Sequence, residues 1–279
     1  MKLKHGGDWA GFESEYGKAP LDFSANVSPL GLPEGVRAAA IRALETADRY
    51  PDPLCRKLRA ALSRYHGVPA ENIVCGNGAS DLIYRLCLTL KPKRAAVFVP
   101  SFSEYALALR EAGAAVTEIP LPEAEDFRLT EKQVLQIPQD IELLFLCNPN
   151  NPTGLLTERE TLSAILSLCR DRGTILCADE CFLDFCENAA EHSLIPALSE
   201  YPNLVILRAF TKTYAMAGLR LGYALCADAA LAEKLRARGM LIRECADFAG
   251  LRAGWYRTAI RTAGENDILI KTIGEVLYG

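Results

Sequence analysis

The sequence predicts an α/β fold, in which a mostly parallel sheet lies between helices on both of its faces. Short, continuous apolar segments alternate along the chain with longer amphipathic segments. That order is typical of strands joined by crossover helices. Polar or glycine-rich residues follow several of the apolar segments, and open α/β sheets bind their ligands at such strand ends. We therefore expect a ligand site at the carboxyl edge of this sheet.

Each predicted element is justified by its length and composition. Five short apolar segments are typical of buried strands: Ile73–Cys75, Ala95–Val99, Leu143–Cys147, Thr174–Ala178 and Leu204–Arg208. Three longer segments between them are predicted helices: Asp81–Leu90, Glu104–Ala112 and Glu158–Arg172. Outside this core, helices are predicted at Glu34–Ala47, Leu54–His66, Leu231–Arg238 and Glu265–Leu277, with a short strand at Tyr256–Ile260.

These elements suggest three parts of the chain. Residues 1–30 are turn-rich and form an arm that belongs in part to a small domain. Residues 31–228 form the large α/β domain, and residues 229–279 form a small C-terminal domain that packs with the arm. A chain of 279 residues is long enough for one large domain and a smaller one.

Composition excludes several classes of function. A formal charge of −4 gives no basic surface for nucleic acid. The N-terminus lacks an apolar signal-peptide core, and apolar runs such as IELLFLC are too short to span a bilayer. Ten cysteines are present with only three histidines, and the cluster of Cys177, Cys181 and Cys186 lacks CxxC spacing. We expect a cytoplasmic protein with free thiols and no metal site.

The first two strand ends offer a turn and an aromatic ring. GNGAS (Gly76–Ser80) follows the first strand and leads directly into a helix, whose N-terminal amides can hold a phosphate together with the Ser80 hydroxyl. A plain Gly-rich turn is the simpler alternative. Phe102 follows the second strand and could stack on a flat ring, although a core phenylalanine is an equal alternative.

The next two strand ends carry an amide and a carboxylate. NPNNPTG (Asn148–Gly154) favours a rigid turn that presents the Asn151 amide to a ring hydroxyl. Asp179 leaves a very apolar strand, and a carboxylate there needs a partner such as a protonated pyridine nitrogen. A helix N-cap or a salt bridge is the structural alternative for Asp179.

The fifth strand end is followed by FTKTYAMAGLRLGY (Phe210–Tyr223). Lys212 is a candidate for covalent bonding to an aldehyde, because a nearby cationic group lowers the pKa of an amine. Arg220, eight residues later, can bind a phosphate with both arms of its guanidinium. A lone loop lysine is usually solvated, but five consecutive strand ends here each supply one part of a pyridoxal-phosphate site.

These motifs, in this order from about Gly76 to Tyr223, resemble the fold-type I pyridoxal-phosphate enzymes of the aminotransferase class I and II family. The resemblance implies an aspartate aminotransferase-like fold, pyridoxal 5'-phosphate as cofactor and a homodimer. Lys212 would bind the cofactor and move protons, and Asp179 would pair with its pyridine nitrogen. The residues implied to hold the cofactor are Gly78, Ala79, Ser80, Phe102, Asn151, Asp179, Thr211, Lys212 and Arg220, together with Tyr50 of the partner subunit.

Segments nearer the chain ends are most similar to the threonine-phosphate decarboxylases, and next to the histidinol-phosphate aminotransferases. They include HGGD, DFSANVSP, LIRECADFAGL and YRTAIRTAGEN. The implied reaction is decarboxylation of L-threonine O-3-phosphate to (R)-1-amino-2-propanol O-2-phosphate in cobalamin biosynthesis. The implied substrate-binding residues are His5, Gly6, Asn26, Arg243 and Arg257. For Arg243 and Arg257, surface ion pairing is the alternative.

The chain departs from the family pattern in three places. Ala209 stands where a phosphate-binding Ser or Thr is usual, and Phe182 stands where aspartate aminotransferases have a tyrosine. The third departure is an apparent internal shortening after about residue 230, between the strand after Arg220 and the LIRE motif. Two alternatives to the decarboxylase therefore stay open: an aminotransferase of the histidinol-phosphate type, and a non-catalytic protein that binds the cofactor. An unrelated nucleotide-binding protein is disfavoured by the lack of GxxxxGK[ST] and GxGxxG motifs.

Overall fold

A computed structural model describes residues 6–238 of the chain. They contain seven strands: β1 (Ile73–Gly76), β2 (Arg94–Val99), β3 (Ala115–Pro120), β4 (Leu143–Cys147), β5 (Ile175–Asp179), β6 (Leu204–Ala209) and β7 (Gly222–Cys226). The α-helices are α1 (Trp9–Tyr16), α2 (Glu34–Ala43), α3 (Arg56–His66), α4 (Ala79–Leu90), α5 (Ser103–Glu111), α6 (Glu131–Val134), α7 (Arg159–Arg172), α8 (Ala189–His192), α9 (Phe210–Thr213) and α10 (Ala229–Arg238). Short 3₁₀ turns occur at Leu44–Thr46, Ala70–Asn72, Glu123–Glu125, Leu183–Phe185, Ile195–Ser199 and Ala217–Leu219.

The seven strands form one sheet in the order β1–β7–β6–β5–β4–β2–β3. Four neighbouring pairs are parallel, whereas β7 is antiparallel to both β1 and β6. The prediction of a mostly parallel sheet is therefore confirmed. The chain between β6 and β7 contains α9 and the 3₁₀ turn Ala217–Leu219, and β7 returns beside β6 in the opposite direction.

The core lies on both faces of the sheet, since successive side chains of a strand point to opposite faces. In β4, Leu144 and Leu146 belong to one apolar cluster, which also contains Ile165 of α7. Leu143, Phe145 and Cys147 belong to the other cluster, which contains residues of α4, α5 and α10. All five β4 residues are buried, which explains why this strand is a continuous apolar run in the sequence.

The five predicted strands are all present, with ends that differ by at most one residue, as are the predicted helices within residues 6–238. The helix predicted over Glu34–Ala47 ends at Ala43 and continues as a 3₁₀ turn. β3 was not predicted, because it is an edge strand in which only Ile119 is buried and no continuous apolar run exists. The strand predicted at Tyr256–Ile260 and the helix predicted at Glu265–Leu277 lie outside the described residues.

The parallel strands β4, β5 and β6 end at the same edge of the sheet, and the functional residues follow them. α10 packs against β1, β7 and α4, with Leu231, Ala232 and Leu235 in the core. The predicted domain boundaries remain predictions. Among residues 6–238, no helix combines the length and the apolar composition that crossing a membrane requires.

Candidate active site

A cavity of about 100 Å³ lies beyond the carboxyl ends of β4, β5 and β6. The start of α4, the start of α5 and α9 surround it. Its lining comprises Ala79, Ser80, Phe102, Tyr105, Cys147, Asn151, Asp179, Cys181, Phe182, Ala209, Thr211, Lys212 and Arg220. The fold thus brings together eight predicted cofactor residues that are up to 141 positions apart, from Ala79 to Arg220.

Asp179 is the last residue of β5 and is only 5 % exposed. One carboxylate oxygen accepts a hydrogen bond from the Tyr105 hydroxyl (2.7 Å), and the other accepts one from the backbone N–H of Cys181 (2.9 Å). Hydrogen bonds of this kind offset the cost of burying a carboxylate and fix its orientation. A buried, oriented carboxylate of this kind can pair with a cationic ring nitrogen.

Tyr105 is a site residue that the sequence analysis does not predict. It is fully buried on α5 and stacks on Phe145 of β4, with 4.9 Å between the ring centroids. Phe102 contacts the Tyr105 ring edge-on at 5.5 Å. The available signal was the PSFSEY motif itself, because Phe102 and Tyr105 are three residues apart at the start of a helix and so lie on the same side.

Lys212 lies in α9, directly after β6, and is half-buried. Burial lowers the pKa of its amine, and the positive charge of Arg220 lowers it further, while the negative charge of Asp179 opposes the shift. The ammonium nitrogen lies 5.3 Å from the centre of the Phe182 ring. A lowered pKa increases the fraction of neutral amine, which is the form that attacks a carbonyl carbon.

The start of α4 and Arg220 form the positively charged end of the cavity. Gly78 is the N-cap of α4, with a φ of 85°, so the first amides of the helix face outward without a side-chain cap. A Cβ on Gly78 would meet Nη2 of Arg220 at 2.8 Å. The glycine therefore lets the guanidinium lie directly against the helix N-terminus, and both groups favour an anion there.

The NPNNPTG turn holds Asn151 in the cavity wall. Asn150 donates side-chain hydrogen bonds to the Pro100 carbonyl (3.1 Å) and to the Thr153 hydroxyl (3.0 Å). Its backbone N–H donates to the Leu155 carbonyl (2.8 Å). The first bond ties the turn to the residue after β2, and the other two close the turn on itself, so the residue directly before Asn151 is held in place.

The N-terminal arm reaches the same region. The backbone N–H of Ser28 donates to the Lys212 carbonyl (3.0 Å). Asn26 and Val27 line a second cavity of about 390 Å³, which shares Asn151 and Phe182 with the first. Gly6 lies against the backbone of Ser24, where any side chain on Gly6 would collide with the Ser24 carbonyl.

Other predicted site residues are placed differently. Thr211 is buried and lines the first cavity. Tyr50 is fully exposed and lines neither cavity of its own chain. His5, Arg243 and Arg257 lie outside the described residues. Within residues 6–238, no three His, Cys, Asp or Glu side chains gather to hold a metal ion, and the absence of a metal site remains a prediction.

The family model for class I and II aminotransferases matches residues 18–249, which is most of the chain. The chain belongs to this family. Pyridoxal 5'-phosphate is the family's cofactor, as predicted from the motifs. The aspartate aminotransferase-like fold is likewise confirmed, by solved structures of this family.

Two curated relatives and one solved structure define the similarity. The threonine-phosphate decarboxylase of Salmonella typhimurium is 33 % identical over 99 % of this chain and 97 % of that protein. A histidinol-phosphate aminotransferase of Desulfitobacterium hafniense is 39 % identical, but over 77 % of this chain and 59 % of that protein. The histidinol-phosphate aminotransferase structure from Clostridium acetobutylicum has a TM-score of 0.71 at 29 % identity, covering 78 % of this chain and 64 % of that one.

The alignments also show that this chain is shorter than its relatives. The alignment with the Salmonella protein spans 354 positions, whereas this chain has 279 residues, so at least 75 positions have no counterpart here. The chain likewise spans about three fifths of the Desulfitobacterium relative. An internal shortening is consistent with these numbers, and its location after about residue 230 remains a prediction.

The residues of the cavity fit the family cofactor. A phosphate at the α4 end of the cavity would find hydrogen-bond donors in the helix amides, the Ser80 hydroxyl and the Arg220 guanidinium. The Asp179 carboxylate offers an acceptor to a pyridine N–H at the other, and the Lys212 amine belongs to the same cavity. Ala209 lines the wall without a hydroxyl, so one contact that is usual in the family is missing at that point.

Gly222→Ala tests the tight packing between β7 and the start of α4. A Cβ at position 222 would meet Gly78 C at 2.8 Å and Ala79 N at 2.9 Å. Both are backbone atoms, so the start of α4 must move. We expect a loss of about 1–3 kcal/mol in the free energy of unfolding and weaker binding of pyridoxal phosphate, measured by urea unfolding and by titration.

Gly35→Ala is the matched control for Gly222→Ala. Gly35 lies in α2, and a Cβ there would meet no atom within 4 Å. Alanine in place of an exposed helical glycine should raise stability by up to about 1 kcal/mol and leave cofactor binding unchanged. Equal behaviour of the two variants would contradict the close approach of β7 and α4.

A buried polar network supports β5 and β6 behind the cavity. Arg208 of β6 donates to one oxygen of Glu180 through Nε (3.1 Å) and Nη2 (2.8 Å), and to Asp184 through Nη1 (2.7 Å). The backbone N–H of Leu194 and the Ser193 hydroxyl donate to the Glu180 carboxylate as well. Glu180 directly follows Asp179, so this network fixes the chain where Asp179 ends β5.

His66 connects α3 to the sheet beside this network, through a 2.8 Å hydrogen bond between Nε2 and the Tyr223 hydroxyl. Burial lowers the pKa of His66, and the positive charge of Arg208 lowers it further, while Asp184 opposes the shift. The unfolded chain therefore binds this proton more readily than the folded one. The stabilisation is complete above about pH 6.5, the ordinary pKa of histidine, and is lost as the pH falls towards the lower folded pKa.

His66→Gln should remove this pH dependence while keeping a side chain that can bond to Tyr223. We expect the unmodified protein to lose more stability than His66→Gln between pH 7 and pH 5. The extra slope is at most about 1.4 kcal/mol per pH unit, the limit for one proton. Urea unfolding at several pH values measures it, and parallel curves for the two proteins would show that His66 does not titrate as described.

Proposed function

We propose that this chain binds pyridoxal phosphate and decarboxylates L-threonine O-3-phosphate to (R)-1-amino-2-propanol O-2-phosphate. One observation supports the decarboxylase over the alternatives: the Salmonella threonine-phosphate decarboxylase aligns with 99 % of this chain, whereas the Desulfitobacterium aminotransferase aligns with 77 %. The similarity to the decarboxylase therefore includes parts of the chain outside the shared cofactor core. The product suits cobalamin biosynthesis, which is part of the proposal.

The cavity residues have separable roles in this proposal. When bound, pyridoxal phosphate supplies an electron-withdrawing ring that accepts the electron pair of the bond broken at the substrate α-carbon. Asp179, held by Tyr105 and the Cys181 amide, would accept a hydrogen bond from the ring nitrogen of the cofactor. Phe102 would pack against the ring, and Asn151 would donate to the ring oxygen. The phosphate would be held by Ala79, Ser80 and Arg220, and Gly78 and Thr211 also belong to the proposed cofactor site.

Lys212 performs the proton chemistry. Its half-buried amine has a lowered pKa, so a neutral Nζ would be available to hold the cofactor and to move a proton. In decarboxylation Lys212 Nζ would return a proton to the substrate α-carbon. In transamination the same Nζ instead removes the proton from the α-carbon.

The arm supplies part of the substrate site in this proposal. Asn26 lines the larger cavity next to Asn151, and Gly6 packs on the same arm segment at Ser24. His5 and Arg243 would bind the substrate phosphate, and Arg257 the carboxylate. A cavity of about 390 Å³ next to the cofactor cavity is large enough for a small phosphorylated amino acid.

Two other functions remain candidates. An aminotransferase of the histidinol-phosphate type is favoured by the 39 % identity in the aligned core, which exceeds the 33 % of the decarboxylase. A non-catalytic protein that binds pyridoxal phosphate is favoured by the 75 or more missing positions. All three candidates share the cofactor residues, so they differ in what happens to a bound substrate.

The proposal includes a cytoplasmic homodimer. Leu21, Phe23 and Leu30 are more than 85 % exposed, and α1 and α2 contain no buried residue. Exposed apolar side chains in this number are typical of a surface that a partner covers. Tyr50 lies on the same exposed part of the chain, which supports its proposed role as Tyr50 of the partner subunit at the cofactor phosphate.

The purified full-length chain with pyridoxal phosphate tests these candidates. We would add L-threonine O-3-phosphate and measure carbon dioxide and the amino-alcohol phosphate by mass spectrometry. In parallel we would add histidinol phosphate with 2-oxoglutarate and measure glutamate. Borohydride reduction followed by peptide mapping would show whether the cofactor is attached to Lys212.

Each outcome selects one candidate. Carbon dioxide without glutamate supports the decarboxylase, and glutamate without carbon dioxide supports the aminotransferase. Attachment to Lys212 with neither product supports the non-catalytic protein. A folded chain without any attachment would overturn the cofactor assignment itself.

A further inference from the structure

Phe182 lies where the two cavities of the candidate active site meet. It lines both the cavity of about 100 Å³ and the cavity of about 390 Å³, and of residues 6–238 only Asn151 does the same. Lys212 lines the smaller cavity and not the larger one. A group that contacts Phe182 is therefore close to the boundary between the predicted cofactor residues and the larger cavity.

The amine of Lys212 contacts the ring of Phe182. Its Nζ atom lies over the ring, 5.3 Å from the ring centre. An ammonium group within about 6 Å of the centre of an aromatic ring is attracted by the negative charge on the ring face. Within residues 6–238 no oxygen atom accepts a hydrogen bond from Nζ, and no carboxylate forms an ion pair with it. The ring is thus the partner that the described part of the chain gives to this ammonium.

The backbone is fixed at both residues. The Phe182 carbonyl accepts a hydrogen bond from the backbone N–H of Phe185 (3.1 Å), in the 3₁₀ turn that follows. The Lys212 carbonyl accepts from the backbone N–H groups of Ser28 (3.0 Å) and Ala215 (3.2 Å). The flexible part of the pair is therefore the four-carbon stem of the lysine, whose free end needs a contact to hold it in one place.

The charges around the amine oppose one another. The other charged and titratable side chains that line the smaller cavity are Tyr105, Cys147, Asp179, Cys181 and Arg220. Burial has the largest effect and lowers the pKa of Lys212. Cys181 and Asp179 oppose this shift, whereas Arg220 adds to it. The face of the Phe182 ring attracts only the charged form of the amine, so it acts in the same direction as Asp179.

We propose that Phe182 is a positioning residue for Lys212, because its ring face holds the amine at the boundary between the two cavities. From that place Nζ is close both to the cofactor residues and to a substrate in the larger cavity. The tyrosine that aspartate aminotransferases have at this position offers the same ring face, so the absence of a hydroxyl does not remove this role. The proposal rests on the role of Lys212 in the proposed function, but not on the choice of substrate.

Competitive acetylation of the full-length protein tests the contact without any cofactor. A trace of acetic anhydride labels only the neutral form of an amine, so the labelling of Lys212 from about pH 6 to about pH 10 gives its pKa. The exposed Lys234 of α10 is the internal reference. Acetylation blocks trypsin at Lys212 and yields a peptide of residues 209–220, which mass spectrometry quantifies. A second measurement is the rate at which the neutral amine attaches to added pyridoxal phosphate, trapped with borohydride.

Phe182→Leu keeps an apolar side chain but removes the ring face. We expect the pKa of Lys212 to fall further, by about 0.5–1, because the charged form loses an attraction. Attachment by the neutral amine should become about 10-fold slower, since Nζ is no longer held in place. Phe182→Tyr should restore both values. Phe185→Leu is the matched control: it removes a ring that also lines the larger cavity, and it should leave the pKa of Lys212 unchanged.

Urea unfolding shows whether each variant keeps its fold, and Phe182→Met provides the same test if Phe182→Leu does not fold. A rise in the pKa of Lys212 in the folded variant would mean that the ring acts only by excluding water, and would overturn the proposal. An unchanged pKa, or an unchanged attachment rate, would overturn it as well. If the pKa falls as expected but the unmodified chain attaches no pyridoxal phosphate, the contact is supported and the proposed function fails.

Discussion

Lys212→Ala is expected to reduce turnover by about 10⁴-fold or more, whichever reaction the chain catalyses. In the proposed function, the substitution removes the amine that would bond to the cofactor and move the proton at the substrate α-carbon. No other lysine lines either cavity, so no side chain among residues 6–238 can replace it. Steady-state rates with L-threonine O-3-phosphate and peptide mapping after borohydride reduction measure the two losses separately.

Two controls separate loss of chemistry from loss of fold in Lys212→Ala. Lys234→Ala removes an exposed lysine of α10 and should leave rates and cofactor attachment unchanged. High concentrations of a small primary amine should partly restore turnover to Lys212→Ala, because the amine can enter the space that the side chain leaves. A Lys212→Ala protein with more than a tenth of the original rate would show that Lys212 is not the catalytic amine.

Arg208→Met should reduce the free energy of unfolding by about 3–5 kcal/mol, because it leaves a buried carboxylate without its charged partner. Glu180 is only 1 % exposed and would retain hydrogen bonds from Leu194 and Ser193 alone. Arg110→Met is the matched control, since Arg110 pairs with Glu118 at 2.6 Å on the surface. That exposed pair should contribute less than about 1 kcal/mol.

The pH dependence of Arg208→Met gives a second readout. Burial already raises the pKa of Glu180, and Arg208 opposes that shift. Without Arg208 the folded pKa rises further above the unfolded one, so the folded protein binds the proton more tightly and stability falls as the pH rises. The loss in Arg208→Met should thus be larger at pH 8 than at pH 5 in urea unfolding.

The double variant Arg208→Met with Glu180→Gln tests whether the unpaired charge causes the loss. Replacing the carboxylate by a neutral amide should recover part of the stability, because no buried charge is left without a partner. If Arg208→Met costs no more than Arg110→Met, or if the double variant is no more stable than the single one, Arg208 does not act as a buried counter-ion to Glu180.

Much of the candidate site was predictable, because its parts are local in the sequence. Asp179 ends β5, whereas Asn151 and Lys212 lie within four residues of the ends of β4 and β6, and parallel strands bring their carboxyl ends to one edge. Knowledge of the strands therefore determines which side chains share the cavity. The same logic does not apply to His5, Arg243 and Arg257, whose assignment depends on family resemblance alone.

The sequence by itself predicted five of the seven strands, the sheet type and the order of the proposed cofactor residues, because burial on both faces demands continuous apolar runs and glycine turns interrupt them. Only the tertiary structure decided which buried polar groups meet. Tyr105 and Asp179 are 74 positions apart, and Arg208 and Glu180 are 28 apart. Such pairs have no local sequence pattern. A buried hydrogen bond or ion pair depends on the relative placement of two elements, so neither partner can be recognised from its own segment.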